Sequence, residues 1–178
     1  MALEALAASL PPYAADVAAN LTAIAAETTL GDQQKWGCFV ASAYAVGTGA
    51  VIKAILASAG EAGFSAEALE AAKGAAAIMG MNNIYYRSLH IMKAGEEYRS
   101  LPARLRMTVI GNPGVDKCDF ELWSLAVSAV SGCGMCMDAH ESELKKHCCT
   151  NVQIQAALRI AAVVNAVSRV VAAEAAAA

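Results

Sequence analysis

SAEALEAAKGAAAIMGMNNIYYRSLHIM, Ser65 to Met92, reads as one long helix, and the rest of the chain takes its class from it. Alanine dominates, β-branched residues are scattered, and period-two alternation is scarce, so strand pairing has no pattern to build on. Ser65 is placed to cap the first turn. The acidic residues behind it, Glu67 and Glu70, sit where the helix dipole favours negative charge.

Outward from this stretch the same pattern recurs between breaks. Pro11 and Pro12 open a helix through about Glu27, since proline is tolerated where its missing N–H would have no partner. Asp32 reads as the N-cap of a helix over Gln33 to Val46, ended by Gly47-Thr48-Gly49, and another helix runs from Ala50 to Ala59. Gly95 to Pro102 reads as a connection and Ala103 to Ile110 as a short helix. Asn112-Pro113-Gly114 is a turn by its chemistry. Asp116 caps a helix to Val130, Ser131-Gly132 breaks it, and a helix opened by two cysteines runs to Lys146. Thr150 or Asn151 caps the last helix, to about Ala173, and Ala175 to Ala178 are expected to fray. The class is all-α.

Length and composition narrow the setting. A chain of 178 residues suits a single domain with a core large enough to need no disulfide staples. Hydrophobic residues make up 57% and charged residues 16%, more apolar than an ordinary soluble domain. No run of about 18 residues lacks charged or strongly polar groups. Lys53 and Glu61 interrupt one candidate span, and Arg159, Asn165 and Arg169 another, so the excess points to surface hidden in an oligomer. Met1 to Pro11 carries Glu4 and no basic residue, which does not read as a signal peptide, and the expected setting is cytoplasmic. There, six cysteines suggest reduced thiols, a catalytic pair or a metal site. A net charge of -3 offers no electrostatic footprint for nucleic acid.

A weak internal repeat adds an architectural expectation. GCFVASAYAV, Gly37 to Val46, parallels WSLAVSAVSG, Trp123 to Gly132, at an offset of about 86 residues, and Ala71 to Met79 resembles Ala156 to Val164. One domain over 1–178, with pseudo-repeats of roughly 31–95 and 115–175, would place Gly47 and Ala50 opposite Cys133 and Cys136. Only the second copy then carries reactive groups.

Those groups lie in SGCGMCMDAH, Ser131 to His140. Cys133 and Cys136 form a C-x-x-C, and His140 follows Cys136 at helical spacing, one turn on and on the same face. Glu121, in Asp-Phe-Glu-Leu-Trp, is a carboxylate among apolar neighbours on the preceding helix, costly unless paired. It can reach His140 directly or through water, giving a chain from carboxylate to imidazole to thiol, the general form of an activated nucleophile. The helix N-terminus favours Cys133 as the more acidic thiol, whereas the spacing to His140 favours Cys136, and the residues alone leave both open.

Other readings of the same residues compete. Cys133, Cys136 and His140 offer three zinc ligands, with His147, Cys148 or Cys149 as a fourth, although structural zinc usually serves domains without a core of their own. Cys38 and Cys118 read as small core residues, and Met79, Met81, Met92 and Met107 as packing. Asn82 to Arg87, polar and aromatic late in an alanine-rich helix, suits either an active-site wall or an interface, or a helix emerging into solvent.

Taken together, Glu121, Cys133, Cys136 and His140 in the order E-x11-C-x2-C-x3-H resemble the alkyl hydroperoxide reductase D (AhpD) family of the carboxymuconolactone decarboxylase-like superfamily. Ala75 to Asn83, Arg106-Met107, Asn112-Pro113-Gly114 and Phe120 to Trp123 extend the resemblance over nearly the whole chain. It implies an all-helical duplicated fold assembled as a homotrimer. It also implies a thiol peroxidase and disulfide reductase that takes electrons from a lipoylated acyltransferase served by dihydrolipoamide dehydrogenase, and regenerates the peroxiredoxin AhpC. No bound cofactor is implied, since the reductant is dihydrolipoyl on another protein. By resemblance Cys136 is the peroxidatic thiol, Cys133 the proton donor that closes the disulfide, and His140 with Glu121 the proton relay. Met135 stands where related proteins commonly carry a histidine, so direct peroxidase activity is expected to be weaker or differently tuned. A lyase of the decarboxylase type, which needs no dithiol, and a non-catalytic zinc-binding oligomer are the alternatives.

Overall fold

A computed structural model describes residues 2–147 and 149–178, without the side chain of residue 147. The described residues form helices and connections with no strand, so the all-α expectation holds. In chain order the helices are α1 (Ala2–Ala8), α2 (Ala15–Ala26), preceded by a 3-10 turn at Pro12–Ala14, α3 (Asp32–Val46), α4 (Gly49–Glu61), α5 (Ala66–Ile91), α6 (Gly95–Arg99), α7 (Thr108–Gly111), α8 (Lys117–Ser131), α9 (Gly134–His147) and α10 (Asn151–Ala177).

Local chemistry explains most of the boundaries. Ser65 accepts a hydrogen bond from the Ala68 N–H, and Asp116 accepts one from the Cys118 N–H, each satisfying an N–H that the first helical turn leaves without a partner. At α10, Thr150 and Gln153 close a reciprocal capping box. Asp32, expected as a cap, is instead the first residue of α3 behind Gly31, and its carboxylate pairs with Lys35 at 3.2 Å.

Four expectations about extent are corrected. α1 has no counterpart in the sequence reading, because seven residues are too few to display a period. Tertiary contacts hold it: Leu3 is buried and its N–H donates to Ser58 Oγ at 3.0 Å. The segment read as a connection from Gly95 contains α6, where a Cβ on Gly95 would lie 1.8 Å from the Leu89 carbonyl oxygen, so only glycine fits. The helix expected over Ala103 to Ile110 is confined to α7, since Arg104 adopts φ 53°, outside the helical region. The carboxyl-terminal alanines stay helical to Ala177, with Tyr13 Oη donating to Glu174 Oε1 at 2.7 Å across the start and end of the chain.

The core forms where α3 and α8 pack on each other and both pack on α5 and α10, with α9 lying against α5 and α8. Its largest enclosed side chains include Trp123, Phe39 and Phe120. Trp123 Nε1 donates to the Gln34 carbonyl at 3.1 Å, and its ring occupies the space a Cβ on Gly37 would need. α10 is long and apolar enough to cross a membrane by length and composition, yet Ile154, Ala157, Ala161 and Val164 on its inner face belong to this core.

α8, α9 and α10 begin at Lys117, Gly134 and Asn151, each 85 residues after the starts of α3, α4 and α5 at Asp32, Gly49 and Ala66. Gly47 and Gly132, at the ends of α3 and α8, both take left-handed φ, 88° and 68°. Aligned by helix starts, Thr48 and Val51 correspond to Cys133 and Cys136, one residue beyond the Gly47 and Ala50 expected from the sequence offset.

Candidate active site

The turn between α8 and α9 sets the site. Gly132 ends α8 with its N–H on the Ala129 carbonyl at 3.1 Å, and the Cys133 N–H follows onto the Ser128 carbonyl at 3.0 Å. This is a Schellman closure, whose left-handed residue suits glycine because no Cβ is present to clash. Arg87 of α5 donates to the Ser131 carbonyl and ties the turn to the neighbouring helix. Cys133 therefore stands immediately before α9, its carbonyl accepting from the Met137 N–H at 2.9 Å, and Cys136 lies in the first turn. The helix was expected to open at the cysteine pair. It opens at Gly134, between them.

Cys133 and Cys136 are joined as a disulfide with their Cα atoms 5.3 Å apart. The two cysteines are not equivalent in access: Cys133 is 0% exposed, whereas Cys136 is 8% exposed and borders a cavity. His140, one turn further along α9, borders the same cavity. Its Nδ1 lies 2.7 Å from Glu121 Oε2, so the contact expected from the sequence is direct. A carboxylate oxygen only accepts, which assigns a hydrogen to Nδ1. Both side chains are nearly enclosed, at 12% and 10% exposure, so the pair is little screened by water.

The cavity holds about 230 Å³ and is walled by Met79, Asn82 and Tyr86 of α5, Ile110 of α7, and Met135, Cys136, Ala139 and His140 of α9. Met79, Asn82 and Tyr86 recur at intervals of three and four residues on one face of α5, which accounts for the polar and aromatic residues late in that helix. Of the three readings offered for Asn82 to Arg87, the active-site wall describes Asn82 and Tyr86. Met79, read as packing, also faces the site. The sequence signal for it was the stripe it forms with Asn82 and Tyr86. Ile110 had no local signal, because it arrives on a separate short helix.

The other described cysteines lie elsewhere. Cys38 is fully enclosed as expected, and burial, followed by the nearby Asp119 charge, pushes its thiol far above the usual range. Cys149 is a free thiol pushed up by the same two causes in the same order. Cys118, expected as a small core residue, is disulfide-bonded, and its sulfur stands 4.0 Å from that of Cys149. Among the zinc ligands weighed above, Cys148 and the side chain of His147 lie outside the described residues. Within the described residues Cys149 does not join Cys133, Cys136 and His140 in a ligand cluster.

Comparison with known proteins gives the family. Residues 96–178 match the model of the carboxymuconolactone decarboxylase family, a span that includes Glu121, both cysteines and His140. The chain is 60% identical to an alkyl hydroperoxide reductase AhpD of Hyphomonas neptunium, over 99% of this chain and 97% of that protein. It is 59% identical to the protein of the same name from Maricaulis maris, over 98% and 99%. A third, from Brucella anthropi, is 51% identical over 94% and 95%.

Proposed function

We propose, from the premise that this chain belongs to the alkyl hydroperoxide reductase AhpD family within the carboxymuconolactone decarboxylase family, that it is a lipoyl-dependent thiol peroxidase and disulfide reductase. The observation that carries the reading is a C-x-x-C disulfide with one sulfur open to a cavity and an imidazole–carboxylate pair beside it.

In the reduced protein the Cys136 thiolate attacks the terminal oxygen of a hydroperoxide. A sulfur–oxygen bond forms, the O–O bond breaks, and the departing alkoxide takes the Cys133 proton to leave as an alcohol. Cys133 then attacks the Cys136 sulfenic acid and expels its oxygen as water, with the proton delivered through His140. Glu121 holds the imidazole in the tautomer this transfer needs. A dihydrolipoyl thiolate next attacks Cys136, the more accessible sulfur, and its second thiol releases the protein dithiol and leaves as lipoyl disulfide. The helix N-terminus under Cys136 stabilises each thiolate in turn.

The same exchange, directed at a protein disulfide, serves regeneration of the peroxiredoxin AhpC, with a lipoylated acyltransferase and its dihydrolipoamide dehydrogenase as the electron source. The cycle belongs in the cytoplasm, where thiols are kept reduced. Homotrimer assembly is supported by the exposed apolar side chains of Ile84, Met92, Tyr98 and Leu101, which line one surface hollow beside α5. The common 85-residue spacing supports a single domain with a duplicated unit, armed in its second copy alone.

Counting thiols tests the cycle. Dihydrolipoamide added to the oxidised protein is expected to release the two thiols of Cys133 and Cys136 per chain, located by alkylation and mass spectrometry so that the Cys118 disulfide is counted apart, and one equivalent of cumene hydroperoxide to remove them again. A thiol count unmoved by either reagent overturns the reading, and decarboxylase activity that survives alkylation of the thiols would replace it with a lyase.

A further inference from the structure

Asn82 is 5% exposed and belongs to the cavity wall, yet its Oδ1 is buried with no hydrogen-bond partner. Of the nearby polar groups, His140 pairs with Glu121, Asn83 Oδ1 accepts from the Ser128 hydroxyl at 3.0 Å and Arg87 donates to the Ser131 carbonyl, whereas Asn83 Nδ2, which is not among the residues of the cavity wall, is also buried without a partner. A buried acceptor without a donor is costly, and a leucine of similar size would fill the same space without that cost. Met79, Ile110, Met135 and Ala139 make the surrounding wall apolar. The site thus combines one unanswered acceptor, an apolar enclosure and a reactive sulfur.

Resting on the peroxidase reading above, we infer that Asn82 binds the hydroperoxide itself, accepting a hydrogen bond on Oδ1 from the terminal O–H while the alkyl group lies against the apolar wall. An alkyl hydroperoxide has a single hydrogen-bond donor, and it sits on the very oxygen that the Cys136 thiolate attacks. The contact requires the carboxamide to turn about its Cβ–Cγ bond, because Oδ1 is buried as it stands while the Asn82 residue borders the same cavity as Cys136. The hydrogen stays on the terminal oxygen as the sulfur–oxygen bond forms, so the contact persists from the peroxide to the sulfenic acid and Asn82 exchanges no proton. The electron pair released from the O–O bond leaves with the alkoxide, which the Cys133 proton neutralises.

The test compares full-length wild type with Asn82→Leu and Asn82→Ala in three reactions. These are oxidation of the reduced dithiol by cumene hydroperoxide, methylthiolation of Cys136 by methyl methanethiosulfonate, which has no O–H or N–H to donate, and reduction of the disulfide by dihydrolipoamide. Both variants are expected to lose about tenfold in the first reaction, the loss appropriate to one hydrogen bond at the reacting atom, and to stay near wild type in the other two. An unchanged hydroperoxide rate, an equal loss in all three reactions, or failure of both variants to fold overturns the inference. The second and third of these outcomes would make Asn82 a packing residue. A wild-type dithiol that no hydroperoxide oxidises overturns the peroxidase reading instead, and the inference falls with it.

Discussion

His140 Nδ1 and Glu121 Oε2 meet at 2.7 Å although 19 residues and a reversal of chain direction separate them. The contact exists because the left-handed closure at Gly132 folds α9 back against α8, bringing a buried carboxylate opposite an imidazole one turn from Cys136. Each group answers the other's need for a partner in a poorly solvated place.

Replacing Glu121 with glutamine keeps the shape and removes the charge that orients the ring. Single-turnover oxidation of the dithiol is expected to slow by about 10- to 100-fold, the usual cost of losing such a supporting partner. His140→Gln should cost at least as much, and the double variant little more than His140→Gln alone, because the carboxylate acts through the imidazole. Additive losses in stopped-flow kinetics would separate the two residues and count against a relay.

Cys133→Ser and Cys136→Ser should each abolish multiple turnover, since neither can close the disulfide, but they should fail differently. Cys133→Ser is expected to consume one equivalent of hydroperoxide and to carry a dimedone adduct on Cys136 in its mass spectrum, the mark of a sulfenic acid. Cys136→Ser should give no adduct at position 133, whose sulfur is enclosed. The opposite pattern would exchange the roles of the two cysteines.

Gly37→Ala probes the packing beneath the site. The added Cβ would fall 2.0 Å from Cε2 of Trp123, so α3 and α8 must separate or the indole must move. Overpacking of this kind costs about 1–3 kcal/mol, and each kcal/mol lowers Tm by roughly 2–4 °C in a chain of this size. Calorimetry is the measurement. A variant as stable as wild type would mean that the interface yields freely.

Glu27 makes one contribution to stability depend on pH. Hydrogen bonds from Thr29 and then Arg159 hold its carboxyl below the ordinary value of 4.5. The folded state therefore binds this proton less readily than the unfolded chain, so the contribution to stability is present above about pH 4.5 and fades as pH falls through the lowered folded value. Urea midpoints measured down through this range should decline for wild type and decline less steeply for Glu27→Gln. Parallel declines would assign the acid sensitivity to other groups.

Much of the fold was legible because its signals are local. Ser65, Asp116 and Thr150 announce helix starts through their own side chains, and Gly132 an end through the conformation it tolerates. The boundaries that eluded the sequence depend on distant partners. α1 stands on Ser58, the end of α10 is tied to Tyr13, and α7 is shortened by the backbone of Arg104. Asp32 had the chemistry of a cap and became an ion-pair partner instead, a choice made by where Lys35 could reach.

The sequence by itself determined the helical class, the cysteine pair, its histidine and the glutamate with which that histidine pairs. The class rests on composition, the cysteine pair and histidine on spacings of three and four residues, which a helix converts into neighbours, and the glutamate on its costly setting among apolar residues of the preceding helix. Only the tertiary structure decided that the glutamate touches the imidazole without a mediating water, that Cys136 rather than Cys133 faces the cavity, and that Met79, Asn82, Tyr86 and Ile110 complete its wall. Those facts depend on which faces of α5, α7, α8 and α9 are pressed together. Burial and contact between separate helices follow from the packing of the whole core, and no local pattern carries them.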